Sequence, residues 1–308
     1  MKKYFVNFAA LSGFALFFSA VLTLSSCSEE VMNPQNQETL PTVPVHIRVN
    51  EFSVSLADIP DTQTRGVESP ASYSALRYLT LAFYDAEGSS IYNSTQVKAA
   101  PSTYSAFGEF ACNLPAGTFT MVVIGRDWSE GDEFSLTSPT VAAYTSERVR
   151  ETFCASQSVT VTNSTPLDLS VTLSRIVAKL NILSTDTRPE GVSKIRTTYG
   201  AGSRSFNPTT GLAIGNAGFS VTNTPSSAAV GQAINVLNFA FLSTDEQTMD
   251  ITLEVLGNSD EVLITKVIRN VPLKRNRKTI LSGPVFSPST SAVSFSLETA
   301  WDETTVTF

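Results

Sequence analysis

The chain has 308 residues, of which 42% are apolar and 16% charged, and its formal charge is −7. An acidic chain disfavours nucleic acid, whose binding depends on neutralising phosphates, so no nucleic-acid partner is expected. A single histidine and three cysteines leave no set of residues for a thiolate–imidazole zinc cluster, and no cofactor is expected.

The chain opens on Met1-Lys2-Lys3, then runs from Phe8 to Leu24 without a charge. A cationic start, an apolar core and small residues at the cut are the layout of a secretory signal. Leu24-Ser25-Ser26-Cys27 resembles the lipobox of bacterial lipoproteins, in which the cysteine is diacylated and becomes the first mature residue. The alternative is a membrane-spanning anchor. The apolar run is at the short end for a span, and Ser12, Gly13, Ser19 and Thr23 interrupt it. Removing residues 1–26 takes away two lysines and no acid, leaving 282 residues at −9. Two or more acyl chains hold a protein stably where one is marginal, so Cys27 is the expected attachment to the outer membrane. The mature length suits two all-β domains better than one.

Residues 27–42 are polar and proline-containing and read as a disordered tether. Glu29 and Glu30 resemble the acidic signal that sends lipoproteins of some Gram-negative anaerobes to the cell surface. Val43, Val45, Ile47 and Val49 then alternate, and Phe52, Val54 and Leu56 resume in the opposite phase, which predicts a strand with a β-bulge or corner. Tyr78–Tyr84 is a strand closed by a turn at Asp85-Ala86-Glu87-Gly88, with Ile91–Val97 as its hairpin partner. Phe107–Leu114 follows. Thr118–Gly125 has the continuous apolar character of a central strand. Ser146–Cys154 is the one helical candidate, with Val149 and Phe153 four apart. Val159–Val161 and Leu167–Leu173 return to period two.

From Arg175 the pattern restarts at Ile176–Leu183. Strands follow at Lys194–Tyr199, Ala233–Leu242, Met249–Leu256, Val262–Ile268, Thr279–Leu281 and Val293–Leu297. The expected fold class is all-β, with two antiparallel β-sandwiches in tandem over residues 43–174 and 175–308, joined near Leu173–Val177.

No catalytic constellation stands out, and the chain is not expected to be an enzyme. His46 falls on the polar face of what reads as an edge-like strand, with no nucleophile pattern around it. The acidic stretches Glu130–Glu133 and Trp301-Asp302-Glu303 read as solvated loops, since the first does not match a calcium loop. Lys274–Lys278 reads as a turn or strand edge, where lysines block edge pairing. Cys112 and Cys154 either form a disulfide or are two separate buried thiols.

Four features together resemble the fimbrillins, the type V pilin superfamily of Gram-negative anaerobes, and in particular their minor or anchoring lipoproteins. They are the lipobox with its acidic tether, Leu114–Ile124, Leu173–Leu180 (Leu-Ser-Arg-Ile-Val-Ala-Lys-Leu), and Val271–Thr279 (Val-Pro-Leu-Lys-Arg-Asn-Arg-Lys-Thr). The resemblance implies two transthyretin-like sandwiches and assembly by strand donation, a form of β-augmentation. In polymerising members an Arg-specific protease cuts after the first strand, which leaves, and the C-terminal strand of another subunit fills the groove. Here the displaced strand would carry Val43, Val45, Ile47 and Val49, and the cut would fall between Arg65 and Gly66. The donor would carry Val293, Phe295 and Leu297, although packing within its own domain would explain those residues equally. The implied partners are other fimbrial subunits, with cell-surface exposure and a role in adhesion. The second reading is a non-polymerising surface lipoprotein that binds glycan or host protein through sandwich loops, with Trp128 and Tyr144 as exposed aromatic contacts.

Overall fold

The computed structural model describes residues 41–53, 67–68, 71, 73–98, 106–163, 165–287 and 294–298. The described part of residues 40–308 forms one compact unit, built of strands. The first half supplies β1 (Thr42–Ser53), β2 (Val67–Glu68), β3 (Tyr78–Tyr84), β4 (Ser90–Val97), β5 (Glu109–Pro115), β6 (Gly117–Arg126), β7 (Phe134–Ser138), β8 (Val141–Tyr144), β9 (Thr152–Val161) and β10 (Leu167–Arg175). The second supplies β11 (Ala178–Ser184), β12 (Val192–Tyr199), β13 (Ser205–Asn207), β14 (Leu212–Ala213), β15 (Phe219–Asn223), β16 (Asn235–Ala240), β17 (Glu246–Gly257), β18 (Val262–Lys274), β19 (Lys278–Gly283) and β20 (Ser294–Glu298). No helix among the described residues is long and apolar enough to cross a membrane.

The first sheet has the order β2-β1-β10-β9-β6-β3-β4, with β5 also on β1. Among the described residues its two wings are joined in the ladder by two pairs between β10 and β9, Ser174↔Cys154 and Arg175↔Phe153. The wings fold over one another and enclose a core of Val45, Ile47, Leu79, Leu81, Phe83, Met121, Val123 and Leu173. The other face of β3 and β6 is also covered, because Ala82, Tyr84, Val122 and Ile124 pack with Ala142, Tyr144, Phe206 and Phe241. Strands covered on both faces must be apolar at every position, and this is why Met121-Val122-Val123-Ile124 does not alternate.

Residues beyond Val177 form two four-stranded sheets, β16-β11-β19-β20 and β15-β12-β17-β18, around a separate core that includes Leu180, Ile182, Ile195, Val255 and Leu281. A fourth sheet, β14-β13-β8-β7, takes two strands from each half through Ser205↔Ala143 and Phe206↔Ala142. The halves therefore share both a sheet and a core.

The bulge falls where the phase change places it, as a register shift between Val49 and Glu51. The helix expected over Ser146–Cys154 is absent. Cys154 instead pairs with Ile124 and Ser174 within sheet ladders as part of β9, and residues 146–151 are loop. Two buried side chains four apart fit a helix face by chance, and pairing on both sides outweighed that weak signal. The short strands β7, β8 and β13 to β15 were not legible, since two to five residues carry too little periodicity.

Candidate functional site

The seat of β1 is the part of the fold from which an element could be exchanged. Val43, Val45, Ile47 and Val49 point into the core and are at most 6% exposed, whereas Pro44, His46 and Arg48 face solvent. On one side β1 runs antiparallel to β5, from Thr42↔Pro115 to Arg48↔Glu109. On the other it runs parallel to β10, from Val45↔Leu167 to Ser53↔Ser174. β1 is thus an interior strand, and the edge-like position expected for His46 is corrected. Alternation reports which face is buried but not how many neighbours the backbone has. The His46 side chain itself is exposed, as expected.

Burying the four side chains contributes roughly 1.5–3 kcal/mol each as an upper estimate, and ladder hydrogen bonds add about 1 kcal/mol apiece. Pro44 has no N–H to give, and it lies opposite Asn113 just before the ladder to β10 begins at Val45. The Arg48–Glu109 ion pair at 3.3 Å is well exposed and adds little.

Cys112 of β5 lies opposite Val45 and packs against the same core; burial pushes its thiol up to about 11. Cys154 is buried elsewhere, its Sγ donating to the Pro208 carbonyl at 3.4 Å, and burial pushes it up to about 12. Both are free thiols, which settles the open alternative against a disulfide in this structure.

β20 closes the order β16-β11-β19-β20 as an edge strand, antiparallel to β19, with Phe295 opposite Leu281 and Leu297 opposite Thr279. It is therefore paired within its own half, which is the plainer of the two readings of this segment. Cys27, Arg65, Gly66, Val293 and Trp301 lie outside the described residues.

Leu173–Leu180 and Val271–Thr279, two of the segments that carry the fimbrillin resemblance, meet at the joint. Arg175 Nε donates to Glu151 Oε1 at 2.7 Å, its Nη1 to Asn276 Oδ1 at 2.9 Å and its Nη2 to the Tyr73 hydroxyl at 3.0 Å. Tyr73 in turn donates to Glu151 at 2.8 Å, and the guanidinium lies over the Phe153 ring. The backbone joins in, with Asn276 N bonded to Val177 O and Lys179 N to Arg277 O. Leu173–Leu180 and Val271–Thr279 are therefore the two sides of one buried latch.

Lys274–Lys278 is the expected turn, with Asn276 at φ +56° and Lys274 ending the edge strand β18, but its charges are engaged: Lys274 pairs with Glu246, Arg275 with Asp245, and Arg277 and Lys278 are buried. Within the acidic loop, Asp132 is nearly buried and forked by Arg150 at 2.6 and 2.9 Å. Tyr144 is buried, its hydroxyl shared with Thr152, so it offers no exposed contact. Trp128 stays partly exposed. Among the described residues no group of three or more His, Cys, Asp or Glu side chains could hold a metal.

A family model described as a family of unknown function, DUF6562, matches residues 42–305. No curated protein matches the chain. Among solved structures, the fimbrial anchor protein Mfa2 from Porphyromonas gingivalis is similar at 10% identity and TM-score 0.50, over 83% of this chain and 97% of that one. A candidate adhesin from Bacteroides ovatus is similar at 11% identity and TM-score 0.48, over 75% and 78%. A fimbrial assembly protein from Parabacteroides distasonis is similar at 12% identity and TM-score 0.40, over 83% and 94%. At these identities the likeness is one of fold.

Proposed function

We propose, for a chain that belongs to the family of unknown function DUF6562, a role as a surface fimbrial subunit or fimbrial anchor lipoprotein that joins its neighbours by strand exchange. The observation that carries this reading is the seat of β1. The first described strand, buried through four side chains and paired on both sides, is the element whose departure would leave a groove shaped for another strand. The shared fold with a fimbrial anchor protein supports the reading.

On this proposal Cys27 carries the lipid and residues 27–42 form the tether. Residues 43–174 and 175–308 act as two sandwich domains latched by Arg175. Cleavage between Arg65 and Gly66, in the connection from β1 to β2, would release lipid and first strand together. Phe295 and Leu297 would enter the groove of a neighbour only after β20 leaves β19. An anchor would keep its lipid and stay uncut, whereas a stalk or tip subunit would lose both. Adhesion and cell-surface location belong to the same proposal.

The test is intact mass and N-terminal sequencing of the protein from washed outer membranes and from sheared surface filaments, for the native chain and for Arg65→Ala. A start at Gly66 in filaments, lost in Arg65→Ala together with heat-labile, SDS-resistant multimers, is the result expected of a polymerising subunit. A start at acylated Cys27 in membranes identifies an anchor if filaments detach when the chain is absent. If filaments neither contain nor need the chain, the proposal fails.

A further inference from the structure

Where β3 begins and β4 ends, the surface holds a depression of about 320 Å³, walled by Tyr78, Trp128, Arg77 and Lys98. Its aromatic wall is fixed in place. The Trp128 indole Nε1 donates to the Asp132 carbonyl at 3.3 Å, and Asp132 is itself forked by Arg150. The Tyr78 and Trp128 rings meet with centroids 5.7 Å apart at 45°. The Arg126 guanidinium lies 4.4 Å from the Tyr78 ring and 4.7 Å from that of Phe134, so contacts run in series from Phe134 through Arg126 and Tyr78 to Trp128. The other wall is cationic. Lys98 Nζ donates to the Tyr73 carbonyl at 3.0 Å, and Arg77 pairs with Asp127 at 3.4 Å while its side chain stays 59% exposed. A surface pair of that kind holds only weakly and yields to a better partner.

We propose that this depression binds a single sugar ring bearing a carboxylate, with its C–H face on Trp128 and its carboxylate on Lys98 and Arg77. The volume is at the lower end of ligand pockets, which run from about 300 to 1,000 Å³, and suits one ring. Aromatic faces carry negative potential and attract the polarised C–H groups of a flat ring without needing a hydrogen bond. The cations supply charge-assisted bonds to a carboxylate. An acidic peptide side chain would use the cations and leave the fixed indole plane idle; a neutral sugar would do the reverse. The site lies apart from the seat of β1 and serves an anchor, a stalk or a tip alike.

The test is a ligand-observed NMR titration of the whole mature chain with methyl glucuronide, methyl glucoside and N-acetylaspartate amide. Saturable binding of the glucuronide is expected, with the glucoside weaker by about tenfold for the loss of a charge-assisted contact. Lys98→Met should weaken the glucuronide by a similar factor, Trp128→Ala should abolish binding, and Trp128→Phe should keep part of it. Arg77→Gln, at a side chain 59% exposed, should also weaken the glucuronide and leave the glucoside unchanged, so it decides the matter if Trp128→Ala or Lys98→Met fails to fold. Equal binding of both sugars overturns the acidic class. Binding of the aspartate amide alone assigns the site to an acidic peptide and overturns the proposal, as does the absence of saturable binding by any probe.

Discussion

Two buried arginines show how the same residue type is stabilised in different ways. Arg175 is 3% exposed, and its guanidinium reaches Glu151, Asn276 and Tyr73. Arg126 is 8% exposed, yet its Nε and Nη1 have no hydrogen-bond partner among the described residues, and burial lowers its pKa. Its charge rests on two ring faces. Removing one partner of a buried ion pair costs about 3–5 kcal/mol, because the other charge stays buried alone. Arg175→Met is therefore expected to lose that much in chemical denaturation. Arg126→Met forfeits two cation–π contacts of roughly 0.5–2 kcal/mol each but also relieves unpaired N–H groups that cost about 1–3 kcal/mol. A change under about 1 kcal/mol is expected from those opposing terms. An Arg126→Met variant as unstable as Arg175→Met would refute the ring-face account. The sequence singled out Arg175 through its motif but had no signal for Arg126, whose stack joins residues of β3, β6 and β7 that only the fold brings together.

At the scale of the element, β1 combines deep burial with its place as the first described strand. Its alternation was fully legible, and so was its bulge, because a one-residue phase change reverses which side chains face the core. Its two-sided pairing was not legible. Cys112 offers a direct readout of whether β1 is seated, since the thiol lies opposite Val45 and burial holds it near 11. Comparing the mature chain with one that begins at Gly66 should show Cys112 unreactive to a maleimide in the first and reactive in the second. A fall from about 11 toward the ordinary 8.5 would raise the thiolate fraction at pH 8 by on the order of a hundredfold. A synthetic peptide of residues 42–56 should restore protection. Equal labelling with and without β1 would show that the strand does not cover its seat. Cys154, buried beside Pro208 on the other side of the sheet, should stay silent throughout.

For the whole molecule, the question is how independent the halves are. Residues 178–286 enclose a core of their own, but Phe206 and Phe241, both 0% exposed, are covered by Ala82, Tyr84, Val122 and Tyr144 from the first half. A fragment of residues 175–308 would expose those rings and leave β13 without β8. It is expected to bind a hydrophobic dye and to unfold at lower denaturant than the second half does in the intact chain. A fragment as stable as the intact second half would show that the shared sheet and the Arg175 latch add nothing. The latch also explains why no linker composition marks the joint near Leu173–Val177. Val177 is 0% exposed and its carbonyl is bonded to Asn276, so the crossing point is core rather than tether.

The sequence by itself determined the all-β class, the order of the long strands, the inward face of β1 and the continuous burial of β6. All of these follow from local periodicity, which each strand carries in its own residues. Only the tertiary structure decided that β1 is interior, that Ser146–Cys154 is loop and strand, that Tyr144 is buried, and that two distant motifs close one latch. It also placed Trp128 beside Lys98 and Arg77. Each of these depends on which strands become neighbours, and neighbours far apart in the chain are chosen by packing and pairing over the whole body rather than by any local run of residues.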